Sequence, residues 1–234
     1  MSPFKKKLVI IPAYNEQESI VNVIKELKEK APDYDCIVIN DASTDNTLEI
    51  LKEKAIPHLD LASNMGIGGA VQTGYQYAFK NGYDLAVQFD GDGQHDASYI
   101  KKLEETLADT DANMVIGSRF IEKEGFQSTG VRRAAIRYFS RLIKLFSGQK
   151  ITDPTSGFRM ADRKVIEIFS ELYPWDYPEP ESSCSLIRQG LKIREIPVVM
   201  KERETGKSSF SNPFRALMYM VKVSLGIIIE TKGH

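Results

Sequence analysis

Two carboxylates one residue apart, Asp90 and Asp92, stand in the stretch Gln88-Phe89-Asp90-Gly91-Asp92-Gly93-Gln94-His95-Asp96, directly after the apolar run Leu85-Ala86-Val87. That run reads as a short buried strand, and the glycines let the chain turn sharply and approach a ligand. Hard oxygen donors at this spacing suit Mg²⁺ or Mn²⁺, ions that keep several waters and share phosphate oxygens with a substrate. A cation seated there stabilises the charge that develops on a departing diphosphate. A polar Asp/Gly turn without chemistry has the same composition, so the weight falls on the company these residues keep. His95 reads as structural, since imidazole suits softer metals.

The elements that must position this stretch follow from hydrophobic spacing. Leu8-Val9-Ile10-Ile11-Pro12 is a continuous apolar run, consistent with a parallel strand covered on both faces. Asn15-Glu16 is expected to open a helix in which Ile20, Val23, Ile24 and Leu27 share a face. A second strand, Cys36 to Asn40, ends in Asp41 and the polar turn Asp41-Ala42-Ser43-Thr44-Asp45, where Thr44 or Asp45 can cap the next helix. His58 to Ala62 reads as a short third strand. Asn64-Met65-Gly66-Ile67-Gly68-Gly69-Ala70 leads into a helix to about Lys80, ahead of the Asp90 strand. A helix over 97–107 and a strand over 114–117 complete an alternating α/β pattern with a mostly parallel central sheet. Ligands of such sheets bind beyond the carboxyl ends of the strands, where the polar clusters at 12–16, 40–45 and 90–94 all fall.

The whole chain sets bounds on this reading. Its 234 residues suffice for one large domain or two small ones with a proper core, and 42% hydrophobic with 27% charged residues is ordinary for a soluble globular protein. A formal net charge of −1 gives no global field to attract nucleic acid, so no nucleic-acid partner is expected. Cys36 and Cys184 match no metal spacing and read as reduced packing residues. Lys5-Lys6-Lys7 is followed by too short an apolar run for a signal peptide.

Beyond residue 118 the alternation loosens. The span 125–152 holds six basic residues and no acid. Within it Arg133, Arg137, Arg141 and Lys144 fall at helical spacing, with Ala135, Tyr138, Phe139, Leu142, Leu145 and Phe146 as apolar surface. Such a helix fits an anionic membrane surface or a lipid phosphate, and equally a solvated basic face. Asp153-Pro154-Thr155-Ser156-Gly157-Phe158-Arg159 reads as a turn. A helix from Pro178 to about Gln189 stops at Gly190, and Leu191 to Met200 reads as a late strand. Arg203-Glu204-Thr205-Gly206-Lys207-Ser208-Ser209 is a polar loop. Asn212-Pro213 opens an apolar helix over 214–229, whose charge-free stretch is far below the roughly 20 residues a membrane span needs. It is expected to lie in a membrane interface, to pack on a small membrane partner, or to self-associate as a homo-oligomer.

In this order the motifs resemble family 2 glycosyltransferases of the GT-A (Rossmann-like) fold, nearest to the dolichyl- and polyprenyl-phosphate sugar synthases. The likeness runs from Pro12 to about residue 210. It is carried by Pro12-Ala13-Tyr14-Asn15-Glu16, Asn40-Asp41-Ala42-Ser43-Thr44-Asp45-Asn46-Thr47, Asp90-Gly91-Asp92-Gly93-Gln94, Gly117-Ser118-Arg119 and Asp153 to Arg159. Many relatives continue into transmembrane helices, whereas this sequence ends at His234. Where others carry a Glu-Asp pair it has Glu179-Pro180-Glu181. The resemblance implies a glycosyltransferase domain over 1–212 and a C-terminal apolar helix over 213–234.

The resemblance further implies that Asp41 holds the nucleotide base, with Pro12, Tyr14, Glu16 and Ser43 around the base and ribose. Gly68 and Gly91 admit close backbone approach to the donor. Asp90 serves ribose or metal, Asp92 ligates the metal directly, and Gln94 adds a neutral oxygen. Glu16 also fits a plain first-turn helix acid. An acceptor lipid phosphate, with a second pKa near ~6, arrives already ionised and needs cationic positioning rather than a general base. Arg119, Arg132, Arg133, Arg203 and Lys207 are the candidates, with Ser208 and Ser209 as further donors. The expected activity is inverting, metal-dependent transfer of a hexose from UDP-glucose, UDP-N-acetylglucosamine or GDP-mannose to polyprenyl (undecaprenyl) phosphate. It would make a lipid-linked donor for cell-envelope glycans, peripherally at the cytoplasmic face of the membrane. Alternatives are extension of a polysaccharide at a sugar hydroxyl, a nucleotidyltransferase, and a non-catalytic nucleotide-sugar-binding subunit.

Overall fold

The structure, a computed structural model, describes residues 3–122, 124, 130–175, 178–201 and 213–230. Its strands are β1 (Lys7–Ala13), β2 (Asp35–Asn40), β3 (His58–Asp60), β4 (Leu85–Gln88), β5 (Met114–Ser118), β6 (Arg159–Asp162) and β7 (Ile193–Pro197). They form one sheet in the order β3-β2-β1-β4-β6-β5-β7. Every strand runs the same way except β6, which is antiparallel to both β4 and β5. The carboxyl ends of β1, β2, β4 and β5 therefore share one edge, and the amino end of β6 is delivered to that same edge.

Helices cover both faces, which is why β1 can be buried along its entire length. Val9, Ile11, Val38 and Val87 point to the face packed by α1 (Ile20–Lys30) and α4 (Ile100–Asp109). Leu8, Ile10, Ile39 and Ala86 point to the other face. There they meet α3 (Gly66–Lys80), α5 (Gly130–Ser147), α6 (Arg163–Glu171), α7 (Pro178–Arg188) and α8 (Pro213–Glu230). The short α2 (Thr47–Glu53) adds Leu51 to the first face.

Two expectations need correction. The first helix begins at Ile20 rather than at Asn15-Glu16. Asn15 sits in the left-handed region at φ 57, and its side chain is occupied in holding the turn at 44–45. The Asp153 to Arg159 block is not a turn to its end: Arg159 already starts β6, and α6 follows, with Asp162 capping α6 through a 2.9 Å bond from the Val165 N–H. An antiparallel strand inserted among parallel ones breaks the β-then-α rhythm on which the alternation argument rests.

Both cysteines are free thiols. Burial, with Asp35 nearby, pushes the Cys36 thiol up to about 11, in keeping with an unreactive packing residue. Among the described residues no helix is long and apolar enough to cross a membrane. The C-terminal helix α8 buries Val223 and Ile227 against the domain and is tied to α5 by a 2.9 Å bond between the Tyr138 hydroxyl and Ser224 Oγ. Its other side leaves Met218, Val221 and Leu225 exposed.

Candidate active site

The loops after β1 and β2 are stitched into one unit. Asn15 Oδ1 accepts from the Thr44 N–H at 2.8 Å, and the Asn15 N–H donates to Ser43 Oγ at 3.0 Å. The Glu16 N–H donates to Thr47 Oγ1 at 2.9 Å, while Asp45 accepts from the N–H groups of Gln17 and Thr47. Asp41 is buried, and its Oδ1 accepts from the Met65 N–H at 2.6 Å. The residue expected to hold a base thus also fixes the start of α3. Pro12 is buried at the rim, and Tyr14 stands exposed above it. Pro12, Tyr14, Glu16, Asp41 and Ser43 are therefore brought together.

The Asp90 loop lies against this unit: a Cβ on Gly91 would stand 3.1 Å from the Pro12 carbonyl oxygen. Asp92 Oδ1 accepts from the Gln94 N–H at 3.0 Å, a side-chain turn that fixes the carboxylate's direction. Gln94 is bound to the segment leading to Arg203, since its carbonyl accepts from the Lys201 N–H at 2.9 Å. Its Nε2 reaches the Lys201 carbonyl at 3.4 Å. His95 is buried, stacked on Phe158 at 4.9 Å, and accepts from the Asp90 N–H through Nδ1 at 3.1 Å. Its Nε2 lies 3.5 Å from Asp90 Oδ2, so the ring is spent on holding Asp90.

No group of three or more His, Cys, Asp and Glu side chains able to hold a metal occurs among the described residues. Two carboxylates and an amide at a half-exposed strand end fit a cation that takes its remaining oxygens from water and diphosphate.

The amino end of β6 supplies the other wall. Arg119 is 5% exposed and Asp153 is 0% exposed. They pair bidentately, Nε to Oδ2 at 2.7 Å and Nη2 to Oδ1 at 2.8 Å. Burial opposes the charge on Arg119, but Asp153, with Asp90 and Glu179 nearby, outweighs it and holds the guanidinium above its ordinary pKa. Asp153 is held in turn by Glu195, which accepts from the Asp153 N–H at 2.9 Å and the Thr152 N–H at 2.7 Å. Arg119 thus reaches the site with its fork already engaged. Arg133 is exposed on α5. Arg203, Lys207, Ser208 and Ser209, and the side chain of Arg132, lie outside the described residues.

The sequence matches the model of glycosyl transferase family 2 over residues 8–169, most of the chain, including the loops that carry Asp41, Asp92 and Asp153. The chain belongs to that family. It is 31% identical to the UDP-N-acetylglucosamine–dolichyl-phosphate N-acetylglucosaminyltransferase of Methanococcus voltae, across 95% of this chain and 97% of that protein. It is 29% identical to the undecaprenyl-phosphate mannosyltransferase of Micrococcus luteus, across 87% of each. In fold it is similar to glucosyl-3-phosphoglycerate synthase from Mycobacterium tuberculosis, solved with Mn²⁺, UDP-glucose and phosphoglyceric acid. That match has a TM-score of 0.75 and 18% identity over 97% of this chain and 80% of that one. The mannosyltransferase of Pyrobaculum calidifontis in complex with GDP-mannose and Mn²⁺ matches with a TM-score of 0.69 and 18% identity, over 96% of this chain and 64% of that one. The central sheet flanked by helices is that of GT-A glycosyltransferases.

Within this glycosyltransferase, sequence reasoning gave no role to Arg159, Glu195 or the backbone at 174–175. Arg159 is fully buried and gathers the carbonyls of Ser156, Pro154 and Glu179 with Ser182 Oγ. The 174–175 carbonyls press on α3: a Cβ on Gly68 would stand 2.2 Å from the Trp175 oxygen and 2.3 Å from that of Pro174. Because both are backbone atoms, Gly68→Ala is expected to lower the thermal midpoint by about 5 °C. Steady-state kinetics on the same variant should show a raised KM for the nucleotide sugar.

Proposed function

We propose that this family 2 glycosyltransferase moves a hexose from a nucleotide diphosphate sugar to a polyprenyl phosphate, with inversion at the anomeric carbon. One observation carries the acceptor class: relatives aligned over nearly the full chain are named as polyprenyl- or dolichyl-phosphate sugar transferases. Their names divide among mannose, N-acetylglucosamine and glucose at similar identity, so the sugar is left to experiment.

The stitched loops around Asp41 and Glu16 take the base and ribose, where a carboxylate accepts from a base N–H or a ribose hydroxyl. Asp90, Asp92 and Gln94 would hold Mg²⁺ or Mn²⁺, which when bound offsets negative charge on the nucleoside diphosphate. The acceptor phosphate is ionised near neutral pH and attacks without a general base. Its oxygen bonds to the anomeric carbon while the bond to the diphosphate oxygen breaks, the electron pair leaving with the nucleotide. Arg133, with Arg132, Arg203, Lys207 and Ser208, presents the acceptor phosphate. Arg119, clamped on Asp153, fixes the wall against which the two substrates meet.

The exposed basic residues of α5, Arg133, Arg137, Arg141 and Lys144, form an anion-facing side, and Leu145, Met218, Val221 and Leu225 are exposed on α5 and α8. Together they rest on the cytoplasmic face of an anionic membrane, where the lipid acceptor resides.

The deciding assay incubates the enzyme and Mn²⁺ with undecaprenyl phosphate and, in turn, UDP-glucose, UDP-N-acetylglucosamine and GDP-mannose, reading lipid products by mass spectrometry. A sugar-phosphate lipid from at least one donor supports the reading. Transfer only to added oligosaccharide contradicts it. Arg133→Ala should raise the KM for the lipid phosphate about tenfold, the value of one charge-assisted contact, with the donor KM unchanged.

A further inference from the structure

Behind Asp90, on the face of the sheet covered by α3 and α6, sits a group of buried polar side chains that the reaction above does not use. Gln88 and Arg159 are direct partners across β4 and β6, and both are fully buried. Tyr75 of α3 and Tyr173, just beyond α6, pack on the same face with ring centroids 5.7 Å apart. Phe169 lies edge-on to both, at 5.1 and 4.8 Å. Burial raises the pKa of each phenol, so both stay protonated donors, and both lie within electrostatic reach of the Arg159 cation.

Among the described residues, three buried side-chain atoms of this group have no hydrogen-bond partner: the hydroxyls of Tyr75 and Tyr173 and Oε1 of Gln88. Their chemistry is complementary, two donors and one acceptor. The orientation of the Gln88 amide is set by Asp90, whose Oδ1 lies 3.5 Å from Nε2. Turning the amide over would set Oε1 against a carboxylate, so Oε1 must face the interior. Gly157 closes the opposite side, where a Cβ would stand 2.9 Å from Gln88 Nε2 and 3.1 Å from Asp90 Oδ1. Ordered water accepting from the phenols and donating to Oε1 would satisfy these atoms, with the two to four partners that each buried water ordinarily makes.

We propose that Tyr75, Tyr173 and Gln88 hold ordered water and, through the Gln88 amide, orient the Asp90 carboxylate toward the cation. They are positioning residues that touch neither substrate. The proposal rests on the place of Asp90 in the donor and metal site.

The test uses the full chain carrying Tyr75→Phe, Tyr173→Phe or Gln88→Met, with thermal unfolding and Mn²⁺ titration followed by electron paramagnetic resonance, no substrate present. Each Tyr→Phe change is expected to lower the midpoint by roughly 2–4 °C. All three variants should weaken Mn²⁺ binding about tenfold, as loss of an orienting partner behind a metal ligand does. UDP binding without metal should stay at the parent value. Removing a hydroxyl that bonds to nothing leaves stability equal or higher, so an unchanged or raised midpoint overturns the water. A lowered midpoint with parental Mn²⁺ affinity overturns the positioning role. A parent protein that takes up no Mn²⁺ sinks the metal reading and the positioning role with it, while the midpoints still decide on the water.

Discussion

Asp92→Asn is expected to lower turnover roughly 10³-fold while leaving the thermal midpoint within about 2 °C of the parent. The two halves of that expectation come from different atoms. Asp92 Oδ1 accepts from the Gln94 N–H at 3.0 Å, and an asparagine oxygen keeps that bond, so the loop retains its turn. What the substitution removes is the negative charge that, with Asp90, makes the loop attractive to a divalent cation. In the proposed reaction the phosphate acceptor needs no proton removed, which would leave neutralising the departing diphosphate as the largest electrostatic task of the site. Kinetics and calorimetry on one preparation check the pair of outcomes. Near-parental turnover would remove Asp92 from the chemistry, and a collapsed midpoint would make it a structural residue.

Asp153→Asn should act in the opposite way, through the fold. Asp153 is 0% exposed and is the bidentate partner of an arginine only 5% exposed. Removing its charge strands a buried guanidinium, a loss on the order of 3–5 kcal/mol that lowers the midpoint by about 10 °C. The double change Arg119→Met with Asp153→Leu should recover much of this stability, because an apolar pair of similar volume pays no desolvation cost. Activity of that double variant then reports on Arg119 itself. Turnover near the parent value would assign Arg119 to holding the 153–157 loop, and a deep loss in a well-folded protein would place it at the phosphate.

Much of the candidate site's placement in the fold was legible in the chain because its parts are local. The Asp90-Gly91-Asp92 turn follows an apolar run, Asp41 ends another, and the parallel pattern through residue 118 puts both at the same sheet edge. The bonds that unite these loops could not be read, since Asn15 to Thr44 and Asp41 to Met65 join residues whose side chains have many possible partners. The β6 strand was missed for a physical reason: four residues, Arg159 to Asp162, begin with an arginine and end with an aspartate, leaving no periodicity to detect. Once β6 is seen to run antiparallel between β4 and β5, the Asp153 to Arg159 block stops being a remote turn and becomes a wall of the site. The Gln88, Tyr75 and Tyr173 group was equally hidden, because each residue alone looks like ordinary core or strand-end chemistry.

The central claim is that Asp90 and Asp92 seat the cation that a nucleotide diphosphate shares. Crystals of the enzyme grown with UDP and Mn²⁺, with data collected at the manganese edge, test it most directly. The account predicts one anomalous peak bonded to Asp92, with diphosphate oxygens completing its shell and the uracil beside Asp41. A diphosphate bound elsewhere, or a manganese peak away from Asp92, would contradict it.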